Sequence, residues 1–387
     1  MAATTPAAAA AAAHVVHIEA VQTAVPTRVV EPGRTRLVAV AAPPLPAPAL
    51  QRRVRAVLYY RGAGGAAPGA WEDGVWVKES LSEALADHPE MAGRLRRRAD
   101  GSWEVKLNDT GVRLLQATVD ATLDEFLAGK GALARREAAL APWTDVNADD
   151  PDMCPPFFMQ LTRFQGDGGY AVGVSCALVL ADPLTLARFL LSWARTHARI
   201  RAQGKATPLP MAQYLAYFQR PETTRKRVRS VPIDSFAGDG DGDAETVLFR
   251  AGTAAAAAAA ADGGHGDHRA LAAACVDKAS EALGKKDKVS RLSVVVVDAA
   301  AGDDSLAGKT TIETCTASPG GGAAAGGASL EAVQWSELGL EELVLRDSKP
   351  VHVSCSIVTG GGGDEGLVVV MPDDGAGSLL VMATLPK

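Results

Sequence analysis

The stretch Pro156–Ile200, PFFMQLTRFQGDGGYAVGVSCALVLADPLTLARFLLSWARTHARI, decides how the chain is read. Phe157 to Phe164 is an apolar and aromatic run with Gln160, Thr162 and Arg163 interleaved, which predicts a strand. Gly166-Asp167-Gly168-Gly169 supplies the positive-φ positions of a hairpin, and Tyr170 to Leu180 is a second apolar run. Asp182-Pro183 then reads as a helix start. The carboxylate can accept from the first free amides, and proline is tolerated where its missing N–H would have no partner. Leu186, Phe189, Leu190 and Trp193 recur at helical spacing, so the helix buries one face. Any chemistry is expected at the junction between the second strand and this helix.

Outward from that block, the elements alternate without a strict β-α-β rhythm, which predicts an α/β fold built on mixed sheets. Strands are expected at His14–Val25, Val54–Tyr60, Trp103–Leu107, Val112–Val119, Thr246–Arg250, Leu292–Val297 and Ser378–Leu385. Val351–Val358 and Gly366–Met371, separated by a glycine run, are expected to form a hairpin pair. Val77, Leu81 and Leu85 mark a helix stopped at His88-Pro89, and Arg269–Leu283 a further one. Ala41–Leu50 and Ser318–Ala328 read as loops. Thr207 to Ala244 is rich in proline, charge and glycine and reads as a linker, dividing the chain into units 1–206 and 245–387.

At 387 residues the chain is long enough for two domains, and 47% hydrophobic with net charge −6 is the balance of a soluble globular protein. The mild acidity, with no basic stripe studded by aromatics, argues against nucleic-acid binding. Arg96–Arg98 and Arg225–Arg227 read as solvated surface. The five cysteines (154, 176, 275, 315, 355) show no C-x-x-C, so neither a metal cage nor a disulfide framework is expected, and a reducing compartment fits. Ala7–Ala13 and Ala254–Ala261 are low-complexity runs. The first makes a poor signal peptide and is too short to span a bilayer, so no transmembrane segment is expected.

The Pro156–Ile200 block also resembles a known family, the plant BAHD acyltransferases. Their diagnostic His-x-x-x-Asp-Gly follows a strand and precedes a helix ending near Trp-Ala. Here the Asp matches Asp182, the Gly position holds Pro183, and Ser192-Trp193-Ala194 stands at the helix end. His88-Pro89-Glu90-Met91-Ala92-Gly93-Arg94-Leu95 resembles the family's Pro-x-Ala-Gly-Arg-Leu, and Asn108-Asp109-Thr110-Gly111-Val112 a family turn before a strand. The position of the catalytic His, however, holds Leu178. The family's second motif, Asp-Phe-Gly-Trp-Gly before Lys-Pro, corresponds to Val344-Leu345-Arg346-Asp347-Ser348 before Lys349-Pro350, with no match in the five positions.

The resemblance implies two chloramphenicol-acetyltransferase-like domains with mixed sheets flanked by helices, joined by the crossover 207–244, and acyl-CoA as substrate or ligand. It also implies that a general base belongs at 178, where leucine has nothing to ionise. A positioned base contributes about 10²–10⁴-fold. No catalytic residue is therefore assigned, and Asp182 reads as a structural N-cap with a buried arginine partner. None of the seven histidines has Asp four residues on; a distant one such as His352 remains the candidate substitute. Ser175 and Cys176 precede the site without a base to activate them, and the glycine runs 320–322 and 360–363 lack the context of a phosphate loop.

Within the family, Arg55–Gly65, the Asn-Asp-x-Gly-Val turn and Pro155–Phe164 resemble the eceriferum/glossy wax proteins. That branch implies a non-catalytic role in very-long-chain fatty acyl-CoA elongation for cuticular wax. The partner would be the elongase condensing enzyme, a ketoacyl-CoA synthase. The chain would be a cytoplasmic monomer without cofactor or metal, held at the cytosolic face of the endoplasmic reticulum through that partner. The alternatives are an acyl-CoA-dependent O/N-acyltransferase with an unrecognised base, and an acyl-CoA-binding pseudoenzyme unrelated to wax.

Overall fold

The structure is a computed structural model. It describes residues 14–40, 45–62, 70–107, 110–128, 133–203, 228–236, 244–253, 267–285, 289–297, 310–316, 329–361, 365–373 and 377–386. Both alanine runs, Asn108-Asp109, Arg225–Arg227, Ser318–Ala328 and most of the 207–244 linker fall outside them.

The strands are β1 (Val15–Ala24), β2 (Thr35–Val40), β3 (Arg53–Tyr60), β4 (Arg94–Arg97), β5 (Trp103–Lys106), β6 (Val112–Val119), β7 (Phe157–Phe164) and β8 (Tyr170–Ala177). They continue as β9 (Arg229–Pro232), β10 (Ala244–Ala251), β11 (Arg291–Val297), β12 (Thr310–Thr316), β13 (Leu330–Val333), β14 (His352–Val358), β15 (Glu365–Pro372) and β16 (Leu379–Pro386). The α-helices are α1 (Ala47–Gln51), α2 (Ala70–Asp87), α3 (Leu123–Ala128), α4 (Leu133–Glu137), α5 (Pro183–Ala202) and α6 (Asp267–Ala282).

These strands form two sheets, ordered β14-β3-β8-β7-β6-β1-β9 and β13-β10-β16-β15-β11-β12-β2-β5-β4. Both are mixed: β6–β7, β11–β15 and β12–β2 run parallel, and the other pairs antiparallel. The fold is a mixed α/β fold. Period-2 alternation splits each sheet between two cores. In β3, Val54, Ala56, Leu58 and Tyr60 join α2 and α5 in the largest core, while Val57 and Tyr59 face a second with Phe126 of α3. In β15, Leu367, Val369 and Met371 reach that same largest core from the other sheet, and Val368 and Val370 pack on α6. The largest core is thus shared between the two sheets.

The sheets do not follow the two halves of the sequence. β2, β4 and β5, early in the chain, complete the second sheet, and β14, late in the chain, forms an edge of the first. The expected hairpin of Val351–Val358 with Gly366–Met371 is therefore corrected. β14 pairs with β3, His352 opposite Tyr59 and Val358 opposite Arg53, whereas β15 lies between β11 and β16. The connection turns through Gly360 and Gly361, both at φ 79°. At Gly360 a Cβ would collide with the carbonyl oxygen of Pro48, so the backbone here passes too close to α1 for a side chain. The expected loop Ala41–Leu50 also contains the start of α1, whose Pro48 sits in the first turn where its missing N–H is harmless.

Candidate functional site

At the end of β8 the backbone closes a single turn. Leu180 N and Ala181 N donate to Ala177 O at 2.9 and 3.1 Å, and Leu178 N donates to Arg52 O at 2.9 Å. Asp182 follows in extended conformation and caps α5. Its Oδ1 accepts from Leu184 N (2.9 Å) and Thr185 N (3.0 Å), and its Oδ2 from Thr185 Oγ1 (2.5 Å). The carboxylate is 3% exposed, and its acceptors are committed to starting the helix. Leu178, also 3% exposed, is packed into the core shared by the two sheets.

Two arginines that the sequence did not single out hold this turn. Arg36, on β2 of the second sheet, donates through Nη2 to Val179 O (2.9 Å) and Leu180 O (2.5 Å). Burial draws its pKa down, opposed by the charges of Glu90 and then Asp182, so Asp182 has a nearby arginine charge. Arg52, immediately before β3, is 4% exposed and reaches across to the second sheet. Its Nη1 donates to Ser293 Oγ of β11 (2.5 Å), and its Nη2 lies 3.4 Å from Glu365 Oε2 of β15. Burial lowers the Arg52 pKa and the Glu365 carboxylate offsets part of that. The turn is therefore also where the two sheets are tied. A signal existed in the sequence: Arg52, Arg53 and Arg55 enter a fully buried strand, and buried cations require partners.

Chemically, the turn offers little to move a proton. Guanidinium groups stay protonated even when burial depresses them. Cys176 is fully buried and burial raises its thiol far above the ordinary range, the opposite of an activated nucleophile. Ser175 donates its hydroxyl to Ala141 O at 2.8 Å from the other face of the strand. The histidines with described contacts lie elsewhere. His17 meets Ser230, His88 packs edge-on against Phe189, His197 meets Ser80 on α2, and His352 packs against Tyr59.

The counterpart of the second motif is a tight turn. Leu345 and Ser348 exchange both backbone hydrogen bonds at 3.0 Å around Arg346 and Asp347, whose φ values of 51° and 59° are those of a type I′ turn. Tyr60 and Tyr170, stacked at 4.8 Å, donate to Leu343 O and Leu345 O, so the segment is pinned to the far end of the first sheet. Among the described residues no cluster of His, Cys, Asp or Glu could hold a metal, and no described helix is long and apolar enough to cross a membrane.

With this geometry in place, comparisons with known proteins show similarity over part of the chain. Residues 72–238, somewhat under half of the chain and including the β7–β8–α5 block, match the model of the Transferase family, that of the BAHD acyltransferases. Among individual proteins, Tryptamine hydroxycinnamoyltransferase 2 of Oryza sativa subsp. japonica is 36% identical over 154 residues, 40% of this chain and 32% of that protein. Protein ECERIFERUM 26-like of Arabidopsis thaliana is 30% identical over 165 residues, 42% of this chain and 37% of that protein. The matched stretch thus spans about a third of the length of these relatives. The crystal structure of vinorine synthase aligns over 96% of this chain and 95% of that one, at TM-score 0.49 and 15% identity.

Proposed function

We propose that this chain is a BAHD-like protein that acts without transfer chemistry, promoting very-long-chain fatty acyl-CoA elongation for cuticular wax together with a ketoacyl-CoA synthase. The observation that carries the reading is Leu178. It occupies the position of the family's base and is buried in the shared core, at a turn that the Asp182 cap and Arg36 hold. The similarity to Protein ECERIFERUM 26-like, 30% identical over 165 residues, supports the wax branch. In this reading acyl-CoA is a ligand, units 1–206 and 245–387 act together, and the condensing enzyme brings the protein to the cytosolic face of the endoplasmic reticulum. A second reading, an acyl-CoA-dependent transferase with another base, draws on the higher identity to Tryptamine hydroxycinnamoyltransferase 2.

Co-expression with a plant condensing enzyme in yeast, followed by mass-spectrometric profiling of acyl chains, tests the proposal. Longer chains with the wild type, unchanged in Leu178→His, are expected. Failure to lengthen chains with any wax-type condensing enzyme, alongside acyl transfer by the purified protein, would replace it with the second reading.

A further inference from the structure

A cavity of about 240 Å³ lies on the outer edge of the first sheet, lined by Trp335, Leu340, Glu341, His352, Ser354 and Cys355 among others. It lies apart from the Leu178 turn. β14 is the edge strand; its His352 stands opposite Tyr59 and its Cys355 opposite Ala56, whereas Arg53, at the other end of β3, stands opposite Ala177. Between three and six residues of strand separate the cavity wall from that level, about 10–20 Å at the usual rise. Neither the Asp182 cap nor the Arg36 and Arg52 ties contribute to its wall.

The wall combines apolar surface, an indole and negative charge. Leu340 is buried at its base and Trp335 is partly buried beside it. Glu341 is exposed at the rim. A second carboxylate stands behind: Ser354 Oγ donates to Glu137 Oε2 at 2.7 Å, and Tyr59 OH donates to Glu137 Oε1 at 3.0 Å. Arg55 offsets part of the Glu137 charge. The field is nevertheless felt in the cavity. The Cys355 thiol is pushed up to about 12, by burial first and then by the charges of Glu137 and Glu341. Among the described residues no lysine or arginine lines the cavity, and Lys349 is engaged with Glu342 at 2.5 Å.

An anion entering here would face Glu341, with the His352 imidazole the single basic side chain among the described lining residues. A wholly apolar molecule would leave that carboxylate unused. A cation with an apolar body satisfies both surfaces, because an indole attracts a cation to its face while Leu340 covers the carbon skeleton. We propose that this cavity binds a small organic ammonium ion, its charge held by the Glu341 carboxylate and the Trp335 ring. Its lining includes neither Leu178 nor Asp182, so this assignment and the acyl-CoA reading proposed above can fail separately.

Benzyltrimethylammonium, whose charge does not titrate, is the probe, and neopentylbenzene is its neutral isostere. Isothermal titration calorimetry on the full chain is expected to show one equivalent of the cation bound, with a dissociation constant on the order of 1 mM or tighter. The isostere should bind about tenfold more weakly or worse. Glu341→Gln, an exposed and conservative change, should weaken the cation about tenfold while leaving the isostere unaffected, and Trp335→Leu should weaken both. Absence of saturable binding by the wild type, equal binding of cation and isostere, or full affinity in Glu341→Gln would each overturn the assignment. Circular dichroism melts of the two variants establish that any loss occurs in folded protein.

Discussion

Replacing Asp182 by alanine separates a structural carboxylate from a catalytic one, and the structure supplies the size of the effect. Oδ1 accepts from two backbone amides at the start of the 20-residue α5, a pair with no other partner once the cap is gone. Loss of such a cap costs about 1 kcal/mol, within a range of roughly 0.5–2. Oδ2 accepts from the Thr185 hydroxyl, and a half-buried hydroxyl left unpaired adds about 1 kcal/mol. Removing negative charge from the positive end of a helix costs roughly 0.3–1 kcal/mol more. The sum is about 2–4 kcal/mol. Asp182→Asn keeps a carbonyl oxygen for the two amides, and its Nδ2 donates to a turned Thr185 hydroxyl where Oδ2 accepted from it, so the charge is the main loss and about 1 kcal/mol is expected. Urea denaturation followed by circular dichroism reads both values, and the effect should appear in the midpoint with the slope unchanged. An alanine variant within about 0.5 kcal/mol of wild type, or an asparagine variant as damaged as the alanine, would refute the capping role.

Two further outcomes follow from buried groups. His197 of α5 is 4% exposed, hydrogen-bonded to Ser80, and its pKa is lowered to about 4, chiefly by burial and then by Arg201. The unfolded chain therefore binds a proton near pH 6.5 that the folded chain refuses until about 4. This contribution is fully present above the unfolded value and is lost as pH falls through that window, by up to roughly 3 kcal/mol. Melting temperature against pH should flatten between those values in His197→Gln. On β8, a Cβ on Gly173 would run into the carbonyl of Leu140, whose segment is held against the sheet by Ser175 and Gln160. Gly173→Ala should cost about 3 kcal/mol, because backbone must yield, whereas Gly252→Ala, with open space around it, should stay within about 0.5 kcal/mol in the same denaturation assay.

The β7–β8–α5 block was legible in the sequence because its signals are local and agree. An apolar run, a glycine hairpin, a second run and an Asp-Pro cap each constrain only neighbouring residues, and the observed elements begin and end close to them. β4 (RLRR) and β9 (RSVP) were not legible, since short, charged strands at sheet edges carry no apolar alternation. The placement of β14 was missed for a different reason. Two apolar runs around a glycine stretch satisfy the hairpin pattern, and only the pairing of β14 with β3 and of β15 with β11 and β16 shows that the chain crosses to the other sheet. The site divides in the same way. Leu178 and Asp182 could be located from one motif. Arg36 and Arg52 lie 142 and 126 residues upstream of Leu178 in the numbering, and the contacts they make depend on sheet pairings that no local pattern encodes.

That arrangement also bears on what restoring the base would accomplish. A histidine at 178 would enter an apolar core beside the turn that the Arg36 guanidinium clamps, and both burial and like charge lower an imidazole pKa. It would be neutral at pH 7, the correct state for accepting a proton. Protonation state is then not the obstacle; access is. A general base works only within hydrogen-bond reach of the proton that it takes, and the position is closed by packing shared between two sheets that Arg52 ties through Ser293 and Glu365. Removing only one member of that buried tie would leave an unpaired charge rather than an opening. The turn thus keeps the scaffold that would orient a base, in the Asp182 cap and the Arg36 clamp, while Leu178 has nothing to ionise and is packed among described core residues. The packing around Leu178 therefore favours the proposed role through binding over one through transfer chemistry at this turn.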